Sequence, residues 1–295
     1  MKKFWPLFLV TVLVTIGLGN PAIVRSQSAV EPLSDTVRIS QDAFVPPELE
    51  VSDDPTDGRY IIGEDDRVEI VSRDYPWSAI GRVEGYRNGQ MQYHCTGALI
   101  YDNLVLTNAH CVVDPDNHQV EVDEIRFQPN LISGRLRDED HEANVVEYNY
   151  GTNFNDGKVA DDWAILKLDR DLGQEYGYFG WVEIDDFSDP SWTTDQLHLA
   201  GYSYDFPPEF FSGETAGVHI GCSILGQSSD DRLLHDCDTM GGASGSPLLF
   251  RYNGNYYIVG LHAGAVEVSN GNSISVINYA MKVSRWMDAA RAMAE

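Results

Sequence analysis

The sequence predicts an antiparallel all-β protein, and three observations carry that prediction. From residue 66 to residue 280, short β-rich runs follow one another between turn signals, with no helix-period segment of useful length. Two Asn-Gly pairs, Asn88-Gly89 and Asn253-Gly254, sit between such runs, and both residue types accept the positive φ of a tight hairpin. The exception comes at the end, where Ala280, Val283, Met287 and Ala290, joined by Trp286 and Met293, recur at helical spacing and predict an amphipathic C-terminal helix with one face on the body.

Taken in order, the chain opens with Lys2 and Lys3 ahead of an apolar run from Phe4 to Gly19. That run is shorter than the about 20 residues a spanning helix needs, so residues 1–29 read as a secretory signal, with an uncleaved anchor as the alternative. Small residues near Ala22 and Ala29 offer cleavage sites. Residues 30–60 are rich in Pro, Asp, Glu and Ser with little periodicity, and read as a propeptide or linker rather than a packed element. The strand candidates then run Trp77 to Glu84, Thr96 to Ile100, Leu104 to Thr107, Ile125 to Gln128, Trp163 to Leu168, Gln196 to Tyr202, Val218 to Leu225 and Tyr256 to His262. The pattern breaks between Arg170 and Trp181, which divides the chain into bodies at 61–175 and 176–295. About 235 residues suffice for two cores.

Charge and cysteines narrow the class. The net charge is −26, and the first 60 residues, with five basic and eight acidic side chains, account for only −3 of it, leaving −23. Such a surface argues against nucleic acid or an anionic membrane as partner and for a soluble extracellular or periplasmic protein. The four cysteines, Cys95, Cys111, Cys222 and Cys237, are an even number, as disulfides in an oxidising compartment require, and allow three connectivities. A zinc site is disfavoured by the lack of C-x-x-C and H-E-x-x-H. No metal and no cofactor is expected, apart from a structural calcium to which no ligand can be assigned.

Three segments carry chemistry: Thr107-Asn-Ala-His-Cys111, Asp161-Asp-Trp-Ala-Ile-Leu166 and Met240-Gly-Gly-Ala-Ser-Gly-Ser-Pro-Leu248. A serine hydroxyl is protonated at neutral pH, so attack needs a neutral imidazole to take its proton and a carboxylate to hold that imidazole in the right tautomer. The order His, Asp, Ser differs from the Ser-first and Asp-first hydrolase classes, and Ser246 breaks the G-x-S-x-G pattern. Asp161 and Asp162 point to opposite faces if extended, so only one can reach the histidine. Gly242 and Gly245 free the backbone around Ser244. His94, His118, His141, His198, His219 and His235 lack comparable context and read as surface or satisfied core residues.

These segments, with Cys95-Thr-Gly-Ala-Leu-Ile100, Tyr60-Ile-Ile-Gly-Glu-Asp-Asp-Arg67 and Gly260-Leu-His-Ala-Gly264, resemble the chymotrypsin-fold serine endopeptidases, above all the bacterial V8-like glutamyl endopeptidase branch. The resemblance covers residues 61–295. It implies two six-stranded antiparallel barrels with a C-terminal helix, a Cys95–Cys111 bridge that leaves Cys222 to Cys237, and a monomeric zymogen acting on protein or peptide substrates. It implies His110 as general base and Ser244 as nucleophile. Asp162, which immediately precedes the matching strand, is the orienting carboxylate, with Asp161 a solvated neighbour. The N–H groups of Gly242 and Ser244 would form the oxyanion hole. Ala243 stands where trypsin-like relatives carry the aspartate that receives the new N-terminus, so activation by that salt bridge is excluded; a mature start at Ile61 or Ile62 suits the V8-like arrangement instead. Thr239 and His262 occupy the places of donors to a Glu side chain at P1. Asp238, six residues before Ser244, occupies the place of the carboxylate that selects Arg or Lys. The expected function is therefore a secreted serine endopeptidase preferring Glu at P1. An Arg/Lys preference through Asp238 and a catalytically silent binding or adhesion module are the alternatives.

Overall fold

The computed structural model describes residues 37–53, 65–154, 159–207, 212–269 and 274–295. The strands are β1 (Val37–Gln41), β2 (Arg67–Glu69), β3 (Ile80–Arg87), β4 (Gln90–Leu99), β5 (Leu104–Thr107), β6 (Glu124–Pro129), β7 (Ala143–Tyr150), β8 (Ala164–Leu168), β9 (Gly180–Ile184), β10 (Leu197–Gly201), β11 (Gly217–Cys222), β12 (Ile224–Gln227), β13 (Leu233–His235), β14 (Pro247–Tyr252), β15 (Asn255–Ser269) and β16 (Ile274–Lys282). The α-helices among the described residues are the one-turn α1 (Gly173–Tyr176) and α2 (Pro190–Thr193), and the terminal α3 (Met287–Ala294).

Strands β3 to β8 close into an antiparallel barrel in the order β3-β4-β5-β8-β7-β6. Alternation along β3 explains its two faces. Val83 is fully buried in the barrel, and Gly81 leaves room there for the Phe127 ring, which would lie 2.3 Å from an added Cβ. Arg82 and Glu84 point the other way yet remain buried, paired at 2.7 Å, with Arg82 also donating to the Gly213 carbonyl at 3.0 Å. Burying both charges is tolerable only because each finds its partner there. Asn88 (φ 53°) and Gly89 (φ 74°) turn the β3–β4 hairpin as their sequence predicts.

The remaining strands form one ten-stranded sheet along the path β12-β13-β16-β15-β14-β10-β11-β2, with β9 joined to β15 and β1 joined to β9. Its core gathers Val182, Leu197, Leu199, Leu233, Leu248, Val259 and Ala280. The all-β class and the barrel architecture hold, but this second body is larger than the six strands expected. Two N-terminal segments cross into it: β2 pairs with β11 through Arg67↔His219 and Glu69↔Gly217, and β1 pairs with β9 through Val37↔Ile184 and Ile39↔Val182.

The N-terminal segment corrects one expectation. Residues 37–53 are packed, not linker-like: Val37 is 2% exposed, Phe44 stacks on Tyr178 at 5.3 Å, and Val51 bridges Tyr75. Their Pro and acidic content masked a short β-branched alternation at Val37 and Ile39. The expected signal at 1–29, the rest of the 30–60 segment and the mature start at Ile61 or Ile62 lie outside the described residues.

The C-terminal helix exists but begins later than the spacing suggested. Ala280 lies in β16, where it pairs with both Leu233 and His262, and Val283 opens a 3-10 turn, Val283–Arg285. Ladder hydrogen bonds on both sides of β16 outweigh a weak helical period there. In α3, Ala290 is buried, and just ahead of it the Trp286 ring meets Trp181 edge-on at 5.2 Å. Disulfides join Cys95 to Cys111 and Cys222 to Cys237.

Candidate active site

Strand β5 ends at Thr107 and the chain tightens into a 3-10 turn, Ala109–Cys111, fastened by the Cys111–Cys95 bridge. This turn carries His110. Asp162, immediately before Trp163 and β8, reaches it twice: His110 N–H donates to Oδ1 at 3.0 Å, and Nδ1 lies 2.7 Å from Oδ2. Asn108 Nδ2 donates to the Asp162 carbonyl at 2.7 Å, so three bonds fix the pair. An ionised carboxylate only accepts, which places the proton on Nδ1 and leaves the Nε2 lone pair to act as a base. Burial opposes the imidazolium, but the Asp162 hydrogen bond and charge outweigh it and hold His110 above its ordinary value. Asp161 turns elsewhere, to Arg285 at 3.6 Å and Asn153 at 3.2 Å, and at 19% exposure is an anchored residue rather than a merely solvated one.

Ser244 sits in a tight turn ahead of β14, half-buried between two glycines of positive φ, Gly242 at 92° and Gly245 at 87°. A side chain at Gly242 would strike the Tyr202 carbonyl at 2.4 Å, and one at Gly245 would strike the Thr96 carbonyl at 2.1 Å and the Thr107 hydroxyl at 2.4 Å. Glycine is required at both places by this close approach. The contact with Thr107 sets the serine turn against the end of β5, three residues before His110. Among the described residues, neither the Gly242 nor the Ser244 N–H donates a backbone hydrogen bond. The Ser246 hydroxyl is buried without a partner and lies where a Cβ on Gly201 would fall.

The candidate pocket residues separate. His262, on β15, is 3% exposed, and its Nδ1 lies 3.1 Å from Nε2 of the fully buried His235 on β13. Burial, with the His110 charge nearby, pushes His262 down to about 3, and burial, with His262, pushes His235 well below its ordinary value. Both are therefore neutral near pH 7. Thr239 is half-buried on the segment that follows β13 and His235. Asp238 engages the N-terminal segment instead: its carboxylate accepts from Asp66 N–H at 3.0 Å, and its own N–H donates to His219 Nδ1 at 2.9 Å.

Two residues escaped the sequence reading. His235 was grouped with ordinary histidines, although its place two residues after the buried Leu233 put it on the inward face of a strand. Thr96 was seen only as a strand residue next to Cys95, and no sequence signal marks its contacts with the serine turn. His94 is also buried. Its Nε2 meets the Tyr202 carbonyl at 2.8 Å, and burial with the Arg82 charge pushes it down to about 4. For a metal, Asp66, His219 and Asp238 bring ligand atoms within 4.8 Å of one another; the other two such groups among the described residues each include a pair of disulfide sulfurs, which cannot ligate as thiolates.

This arrangement of two sheets, a His-Asp pair and a glycine-framed serine has relatives. A trypsin-like peptidase domain is matched over residues 95–261, more than half of the chain, and the chain belongs to that family. It is 24% identical over 256 residues to serine protease 23 of Bos taurus, covering 77% of this chain and 62% of that protein. It is 27% identical over 230 residues to an extracellular metalloprotease of Bacillus subtilis (strain 168), covering 73% and 64%. The chain thus spans less than two thirds of these relatives' length. In fold, it resembles a Glu endopeptidase solved in complex with MPD, with a TM-score of 0.62 at 24% identity over 80% of this chain and all of that one. It also resembles the protease Anisep from Arthrobacter nicotinovorans, with a TM-score of 0.54 at 18% identity, covering 74% and 98%.

Proposed function

We propose that the protein is a secreted serine endopeptidase of the V8-like branch that cleaves protein or peptide substrates after Glu. The observation that carries the catalytic part is the double hold of Asp162 on His110. His110 Nε2 takes the Ser244 proton as Oγ attacks the scissile carbonyl. The Gly242 and Ser244 N–H groups receive the oxyanion, at roughly 3 kcal/mol of transition-state stabilisation each. His110 then protonates the leaving amine, and water, deprotonated by the same nitrogen, releases the acyl group. On this reading the first body, 61–175, supplies His110 and Asp162, and the second, 176–295, supplies Ser244 and the pocket. Export rests on the N-terminal sequence and the two disulfides; among the described residues no helix is long and apolar enough to cross a membrane.

The preference for Glu is supported by the histidine pair. When His235 Nε2–H donates to His262 Nδ1, the His262 proton sits on Nε2, a neutral donor that can meet a P1 carboxylate together with the Thr239 hydroxyl. Asp238, committed to Asp66, leaves that carboxylate unopposed. Fluorogenic peptides differing only at P1 test this. Glu should exceed Arg, Lys and Phe at least about tenfold in kcat/KM, a gap of about 1.4 kcal/mol, and His262→Ala should erase it without a comparable loss on neutral substrates. Cleavage after Arg or Lys would overturn the specificity, and failure of an organophosphate to label Ser244 would leave a silent binding module.

A further inference from the structure

We infer that Asp205, clamped by Arg67, is a positioning residue that keeps the Gly242 N–H aimed at the oxyanion. The inference rests on the serine endopeptidase reading and concerns one of its two oxyanion donors.

The two donors are held differently. A peptide plane joins each N–H to the carbonyl of the preceding residue, and in a trans peptide the two point opposite ways. The plane of the Ser244 N–H carries the Ala243 carbonyl, which accepts from Ser246 N–H at 2.9 Å, so the serine turn sets that donor by itself. The plane of the Gly242 N–H carries the Gly241 carbonyl, and its partner comes from another loop: Tyr204 N–H donates to it at 2.7 Å. This second plane lies between two glycines, so no side chain of its own resists rotation. The bond from Tyr204 selects the one orientation in which the Gly242 N–H points away from that loop.

Tyr204 is in turn fixed at two ends. Its phenol oxygen accepts His94 N–H at 3.0 Å, and its ring lies 4.0 Å from the His94 ring. Its backbone is held one residue on, where the Asp205 carboxylate receives two bonds from Arg67, Nη1 to Oδ1 at 2.8 Å and Nη2 to Oδ2 at 3.0 Å. A fork of this kind fixes direction as well as distance. Arg67 is itself immobile: its side chain is 7% exposed, its guanidinium lies 5.1 Å from the centre of the Phe206 ring, and Asp65 Oδ2 accepts from its Nη2 at 2.6 Å. The Gly241 side of the bond is tethered to the same segment, since Asp66 N–H donates to Asp238, three residues before Gly241. Arg67 thus holds two carboxylates with different consequences. Its bonds to Asp65 stay within the N-terminal segment, and its bonds to Asp205 cross to the loop that orients the donor.

That difference supplies the test. Asp205→Ala and Asp65→Ala each remove one partner of the same buried guanidinium, so both should lower Tm, but only the first frees the backbone of Tyr204. Asp205→Asn keeps one acceptor and decides the matter if the alanine variant yields no titratable sites. Active-site titration with an organophosphate, taken to its end point, counts competent enzyme, and wild type should label stoichiometrically at Ser244. Per titrated site, Asp205→Ala should lose about 10- to 100-fold in kcat, below the 10²–10³ of a whole missing donor, and Asp205→Asn at least about fivefold, with KM within about threefold. Binding of a peptidyl trifluoromethyl ketone, whose adduct with Ser244 carries an oxyanion, should weaken by the same factor as kcat falls. Asp65→Ala should keep kcat and ketone binding within about threefold of wild type. Wild-type kcat in the Asp205 variants, an equal loss in Asp65→Ala, or a loss of kcat with unchanged ketone binding overturns the inference while leaving the peptidase reading intact. An unlabelled wild type overturns both.

Discussion

The Asp238 carboxylate accepts the backbone N–H of Asp66 at 3.0 Å, which ties the residue that the resemblance offered for an Arg or Lys preference to the chain just before β2 instead. Asp238→Ser should therefore leave the P1 preference as it is and loosen the N-terminal segment. The lost bond is worth about 1 kcal/mol, or roughly 2–4 °C in Tm for a chain of this size. Comparing P1 profiles and melting curves of the two proteins checks this; a shift in preference with unchanged melting would mean that Asp238 faces substrate.

Ser244→Ala should reduce kcat by about 10⁶-fold without altering secretion or melting, and His110→Ala should do nearly the same. The double variant should be no worse than either single one, because in the proposed mechanism His110 acts only through Ser244. Residual turnover above about a hundredth of wild type in Ser244→Ala would remove that residue from the mechanism.

Activity should rise with pH as His110 loses its proton. Burial alone would place that limb below the ordinary histidine value of about 6.5, but the Nδ1 hydrogen bond to Asp162 and the charge of that carboxylate reverse the sign and put it above. Asp162→Asn should move the midpoint down and cut kcat, since the amide both removes the charge and destabilises the imidazolium. A kcat/KM profile with its midpoint below pH 6 in wild type would contradict the geometry of the pair.

The residues proposed for the chemistry stand out in the sequence because each lies in a short segment whose local spacing is itself the constraint: His110 beside Cys111, Asp162 at the mouth of β8, Ser244 between glycines. What depends on distant strands does not. Val37–Gln41 looked like linker because nothing nearby announces β9 as its partner. Ala280 looked helical because the flanking β13 and β15 are invisible to a local period. The His235–His262 contact joins residues 27 apart through β13, β16 and β15, and only the sheet register brings them together.

Acid should destabilise the fold before its carboxylates titrate. His262 (about 3), His94 (about 4) and His235 (well below its ordinary value) are all depressed, chiefly by burial. Unfolding below about pH 6.5 lets each take up a proton the native state refuses. Their contribution is thus complete above about 6.5 and lost as pH falls toward the folded values, each proton adding about 1.4 kcal/mol per pH unit. His110, being raised, has the opposite sign: its stabilisation is present in acid and fades as pH rises through its folded value. His198 is lowered by burial as well, and the His110 contribution is already complete below about 6.5, so four groups should lower the urea midpoint steadily from about pH 6.5 to about pH 5. A flat midpoint across that window would mean these histidines are not buried neutral.

The segment 37–53 should behave as part of the body even when the chain is cut. It adds a strand to β9, Arg38 pairs with Asp185 at 2.6 Å, Arg291 donates to the Ser40 carbonyl at 3.2 Å, and Asp53 takes both Arg251 at 3.0 Å and the Tyr256 hydroxyl at 2.9 Å. The surface ion pairs contribute little, about 0–1 kcal/mol each. The ladder and the burial of Val37 and Pro46 carry more, since without them β9 becomes an open edge flanked by apolar residues. A specific protease site introduced within residues 54–64 allows a clean cut. The nicked protein should elute from a sizing column as one species that separates into two fragments only in denaturant, and deletion of residues 37–53 should lower Tm and promote association through β9. Loss of the N-terminal fragment under native conditions, with the remainder folded and as stable as before, would make the segment a dispensable leader after all.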